Sequence, residues 1–131
     1  MRPFNWPELL TQYVDQARGN PFAWGTNDCV TFSASWFALM TGDNPAGKFA
    51  GHYATEREAL EIMVRHGVKS IEAAGWFLYG QPSDHVAFAG RGDIVCGKGA
   101  LGLCLGSNGA FLTETGLAFY PRETFEQFWK V

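Results

Sequence analysis

The chain has 131 residues, 47% of them hydrophobic, which suits one compact domain with a substantial core. Thirteen acidic against 10 basic residues leave a net charge of −3, with no basic run. Nucleic acid and anionic membrane surfaces are therefore excluded as partners.

No apolar run reaches transmembrane length, so no transmembrane segment is expected. The opening Met1-Arg-Pro-Phe-Asn-Trp-Pro-Glu8 lacks an apolar h-region and a small-residue cleavage site, so no secretory signal is expected either. The three cysteines, Cys29, Cys96 and Cys104, are odd in number and lack Cys-x-x-Cys spacing. They predict no disulfide framework, no metal site and synthesis in a reducing cytoplasm. No cofactor motif is visible.

In chain order, Asn5 and Glu8 have capping-box spacing, and Leu9, Leu10, Tyr13, Val14 and Ala17 form an apolar stripe. Gly19-Asn20-Pro21 stops that helix. Asn27 or Asp28 caps the next, where Cys29, Phe32, Ser33, Trp36, Phe37 and Met40 follow at helical spacing until Gly42. Thr55 and Glu58 open a third helix with Ala59, Ile62, Met63 and His66 on one stripe, closed by Gly67.

From Val68 onward, short apolar segments separated by Gly, Asn, Pro and Ser read as strands and turns. The clearest strands are 93–96, 100–106, 110–113 and 117–120, with Ser107-Asn108-Gly109 as a hairpin connection. Pro121 opens a short terminal helix carrying Phe125, Phe128 and Trp129. Helices first and an antiparallel sheet afterwards predict a single α+β domain over residues 1–131. Trp24, Trp36, Trp76 and Trp129 are expected mostly in its core.

The segment Phe22-Ala-Trp-Gly-Thr-Asn-Asp-Cys29 places a thiol at a helix start. Backbone N–H groups and the positive helix end there favour a thiolate and a lowered pKa. The plainer alternative is a structural cysteine acting as a small hydrophobe. Asp28 is first a helix cap and second a candidate orienting group. Arg91-Gly92-Asp93 reads as a turn entering a strand, and Gly97-Lys98-Gly99 lacks the rest of a phosphate loop.

Taken together, Trp24-Gly25-x-x-Asp28-Cys29, Arg91-Gly92-Asp93-Ile94-Val95 and Leu101-Gly102-Leu103-Cys104-Leu105-Gly106 resemble the NlpC/P60 family of papain-like cysteine peptidases. The likeness covers residues 20–120 and is nearest to the short phage- and prophage-encoded NlpC/P60-like tail proteins. It implies helices packed on a C-terminal antiparallel sheet. It also implies cleavage of cell-wall peptides by a helix-start cysteine, a histidine opening the second strand and a third polar residue. Here Ala100 occupies the histidine position.

An imidazole is needed to take the thiol proton and return it to the leaving amine. His85, in Asp84-His85-Val86-Ala87-Phe88, is the candidate substitute, although it precedes the Gly-Asp-Ile-Val strand. His66 reads as a helix-terminal residue and His52 as a loop residue. Thr113 and Glu114 are the polar residues near the third position.

The resemblance and the missing histidine imply a catalytically impaired tail tip or baseplate part, made in the bacterial cytoplasm, incorporated into the virion and bound to other tail proteins. The alternative is an active cysteine amidohydrolase on peptidoglycan peptides, with Cys29 as nucleophile and His85 as base.

Overall fold

A computed structural model describes residues 2–131. Helix α1 (Trp6–Gly19) buries Leu10, Val14 and Ala17, one residue per turn along one stripe. Asn5 occupies its cap position, but the side chain makes no capping hydrogen bond. The box expected with Glu8 is therefore not formed. Pro7 in the first turn and a hydrogen bond from the Trp6 N–H to the Pro3 carbonyl (3.1 Å) set the helix entry instead.

Helix α2 (Cys29–Thr41) starts on Asp28, with a reciprocal box between Asp28 and Thr31, and buries Phe32, Trp36 and Met40. Helix α3 (Glu56–Arg65) is capped by Thr55, whose Oγ1 accepts from the Glu58 N–H at 3.1 Å, as its sequence indicates. No residue of α3 is buried.

Residues 71–79 depart from the expected strands and turns. They form α4 (Ile71–Tyr79), capped by Ser70 on the Ala73 N–H at 3.0 Å. Gly75 lets this helix approach the sheet, because a Cβ there would lie 2.3 Å from the Trp129 ring. The indole Nε1 of Trp129 then donates to the Gly80 carbonyl at 2.8 Å, fixing the end of α4.

Five antiparallel strands follow: β1 (Ile94–Gly97), β2 (Ala100–Cys104), β3 (Asn108–Thr113), β4 (Gly116–Pro121) and β5 (Phe125–Trp129). Their order across the sheet is β4-β3-β2-β1-β5. Lys98 and Gly99 connect β1 to β2 with φ of 51° and 71°, the geometry of a tight two-residue hairpin.

The connection between β2 and β3 lies two residues earlier than expected, at residues 105–107. Asn108 and Gly109 belong to β3, where Gly109 pairs with Cys104. The predicted terminal helix is likewise corrected. Only a single 3-10 turn (Arg122–Thr124) precedes β5, which pairs with β1. The fold is α+β, with the four helices before the sheet among the described residues.

The sheet has two covered faces. Ile94, Cys96, Leu101, Leu103, Ala110 and Leu112 pack with residues of α1 and α2. Val95, Cys104, Phe111, Phe125 and Phe128 form the other face, packed with Val86 and Ala89. Cys96 and Cys104 therefore lie on opposite faces and do not face one another. Trp36 and Trp129 are buried, whereas Trp76, read from sequence as core, is exposed.

Two side chains tie distant segments together. Arg122 donates to the carbonyls of Val86, Ala87, Ala89 and Gly106, anchoring the segment before β1. Asp93 is fully buried and accepts from Arg2, Lys130 and the N–H groups of Gly90 and Val131. Arg91-Gly92-Asp93 is thus a structural turn. No helix of the described residues is long and apolar enough to cross a membrane.

Candidate functional site around Cys29

The loop before α2 is closed by paired hydrogen bonds between Ala23 and Asn27, at 3.0 and 2.8 Å. Within it Gly25 has φ of 85°, and a Cβ at that position would lie 1.8 Å from the Tyr53 carbonyl oxygen. Only glycine meets both demands. Asn27 turns its amide to the Pro21 carbonyl (2.8 Å), so the cap of α2 falls to Asp28.

The Asp28 carboxylate is 2% exposed and fully engaged. It accepts from the Gly25 N–H (2.8 Å), the Thr31 N–H (2.9 Å) and the Tyr53 hydroxyl (2.6 Å). The spacing Trp-Gly-x-x-Asp-Cys is thereby a folding device: glycine admits the crossing strand of chain, and aspartate caps the helix and holds Tyr53. Burial, and then the Asp28 carboxylate, push the Tyr53 phenol far above its ordinary range.

Cys29 is half-buried at the first position of α2. Its thiol is pushed up to about 11, mainly by burial and further by the Asp28 charge. The backbone of Leu101, Cys29 and Val30 pulls the other way but is outweighed. The expected activation is therefore reversed. The helix-end groups do favour the thiolate, but desolvation penalises it more.

At pH 7 only on the order of one thiol in ten thousand is ionised. Alkylation of Cys29 by iodoacetamide should be about 100-fold slower at pH 7 than for an unfolded cysteine. The rate should rise about tenfold per pH unit and level only near 11. A plateau near neutral pH, read by peptide mass spectrometry, would contradict this.

A cavity of ≈ 90 Å³ opens beside the thiol, between the start of α2, α3 and α4. Val30, Ile62, Met63, Ile71 and Phe77 give it an apolar wall, and Tyr53 and His66 also reach it. The His66 Nδ1 lies 2.9 Å from the Ile62 carbonyl oxygen. Its ring meets Phe49 and Phe77 edge-on, with centroids at 4.9 and 5.6 Å. His66 makes no hydrogen bond to Cys29.

A family model described as a domain of unknown function (DUF6950) matches residues 1–131. The chain belongs to the DUF6950 family. Neither a curated protein nor a solved structure matches it.

In this DUF6950 member the other residues singled out from sequence lie away from the cavity. His85 is 79% exposed beside Asp84 (3.7 Å), ahead of the Val86–Phe88 turn that packs on the far face of the sheet. Ala100 also packs with that far face, whereas its neighbour Leu101 faces α2. Alternation along a strand therefore points a side chain at 100 away from Cys29. The Thr113 hydroxyl donates to the Gly116 carbonyl (2.8 Å), and Glu114 lies in the same β3–β4 turn.

Sequence reasoning undervalued His66. The signal was the stripe Ala59, Ile62, Met63 and His66, which is the face of α3 that lines the DUF6950 cavity. Chemically, the arrangement offers a protonated thiol, an exposed imidazole and the bonded Asp28–Tyr53 pair on a mainly apolar surface.

Proposed function

We propose that this chain is a binding or assembly part built on an NlpC/P60-like frame, seated in a phage or prophage tail tip or baseplate, without working peptidase chemistry. The observation that carries the reading is the Cys29 thiol, pushed up to about 11 beside an apolar cavity with no imidazole hydrogen-bonded to it. A neutral, unassisted thiol attacks an amide poorly and cannot protonate the leaving amine. The place in a tail rests on the likeness to short tail proteins.

In the test, deletion should block tail completion, while particles carrying Cys29→Ala stay infectious and purified protein releases no peptide from peptidoglycan. Normal tails without the protein would rule the reading out. An active amidohydrolase acting on peptidoglycan peptides is the second reading. It is favoured by one observation, that His66 lines the same cavity as Cys29, and it places His66 rather than His85 as base. Peptide release that disappears in Cys29→Ala would establish it.

A further inference from the structure

Helix α3 is joined to the molecule less firmly than its neighbour. α2 buries Phe32, Trp36 and Met40, whereas no residue of α3 is buried. Leu60 and Val64 on its outer side are exposed, and Ala59, Ile62 and Met63 line the ≈ 90 Å³ cavity together with Cys29. Among the described residues, every hydrogen bond made by residues 54–67 ends within 54–68. The Ala54 N–H donates to the Glu58 carboxylate (3.0 Å), and the Val68 N–H donates to the Met63 carbonyl (2.8 Å). The Arg57–Glu61 ion pair (3.4 Å) is internal as well.

The anchors stand just outside this segment. Tyr53 is buried with its hydroxyl on Asp28 (2.6 Å), and Val68 is buried on the other side. Between them α3 meets the rest of the protein through apolar side chains and the His66 ring, which packs against Phe49 and Phe77. Swinging the segment outward about the Tyr53–Ala54 junction and Gly67 gives up one hydrogen bond, from Val68 to Met63, and otherwise only half-buried apolar surface. Segments with few buried contacts and local hydrogen bonds open at lower free energy than the core. Gly67 suits a hinge, with φ of 71° and nothing within 4 Å of a Cβ.

We propose that residues 54–67 are a lid that swings outward as an intact helix, and that its open form admits to Cys29 a group larger than the closed cavity holds. Closed, the ≈ 90 Å³ space is smaller than the ~150 Å³ that takes up benzene. Open, the walls left by α2 and α4 form a groove with Cys29 at one side and Ile71 and Phe77 at the other. The lid goes beyond both readings of the function and holds for either.

Two measurements on the full chain test the lid. Relaxation dispersion should show one exchange process shared by the α3 amides and the Ile62 and Met63 methyls, on the μs–ms scale and absent from α2. Fluorescein maleimide, too large for the closed cavity, should label Cys29 through the open form. Cys96 and Cys104, wholly buried in the sheet, report unfolding of the whole domain. At one fixed pH, His66→Ala removes the ring contacts with Phe49 and Phe77 and should speed Cys29 labelling about 3- to 10-fold, with Cys96 still protected. His66→Phe restores both ring pairs and should return the rate to that of the unaltered chain. Leu60→Ala, on the exposed side, should leave it unchanged.

The proposal is overturned if His66→Ala labels no faster than the unaltered chain, if Leu60→Ala speeds labelling as much, or if Cys29 and Cys96 label in step. Should His66→Ala fail to fold, dispersion in the unaltered chain decides. No exchange at Ile62 and Met63, or exchange shared with α2, refutes the lid.

Discussion

Gly25→Ala is expected to lower stability by about 3 kcal/mol or more in urea unfolding. Part of the loss is backbone strain, since a φ of 85° costs a residue bearing Cβ about 1–2 kcal/mol. The larger part is steric. The added methyl would lie 1.8 Å from the Tyr53 carbonyl oxygen, and backbone cannot rotate out of the way as a side chain can. Relief requires the chain around Tyr53 to move, which breaks the Gly51 N–H bond to the Gly25 carbonyl (2.9 Å) and the Tyr53–Asp28 bond (2.6 Å). Cys29 should then become more reactive because its cover has shifted. Gly19→Ala is the control, since nothing lies within 4 Å of a Cβ there. A loss of under about 1 kcal/mol for Gly25→Ala would contradict this account.

Asp93→Asn should cost about 3 kcal/mol by the same measurement. The carboxylate is wholly buried and accepts from Arg2 (2.9 Å), Lys130 (3.1 Å), Gly90 N–H (2.9 Å) and Val131 N–H (3.1 Å). An amide of the same shape removes the charge and turns one acceptor into a donor among donors. The Lys130 side chain is 69% exposed, so Lys130→Met should cost no more than about 1 kcal/mol. Equal losses in the two variants would mean that the buried carboxylate has no special weight.

The elements that were legible in sequence are those whose ends carry their own chemistry. Asp28 and Thr55 cap the helices they were expected to cap, and β1 to β4 lie where apolar runs alternate with turn residues. Helix α4 was missed because Gly75 and the apolar run around it resemble a strand, while the need for glycine arises from Trp129, 54 residues away in the chain. Its Ser70 cap was a usable signal.

Strand β5 was mistaken for a helix for a different reason. Its pairing with β1 slips at Cys96/Gly97, so Phe125 and Phe128 reach the same face although three positions apart. A bulge of this kind makes a strand imitate helical spacing. At the site, Asp28 and the helix-start thiol were legible as positions. The pKa direction was not, because it depends on burial in the assembled fold, which no local pattern around Cys29 records.

The two edges of the sheet are unequal. Outside β5, Ser83 and Phe128 exchange both backbone hydrogen bonds at 2.9 Å, which occupies that rung of the edge. β4 ends the sheet on the other side. Strand addition at the β5 edge would have to displace that rung, whereas β4 of one copy meeting β4 of another would displace no strand. Such contact is self-complementary and closes at two copies, whereas a sheet with two receptive edges could run on as a fibre.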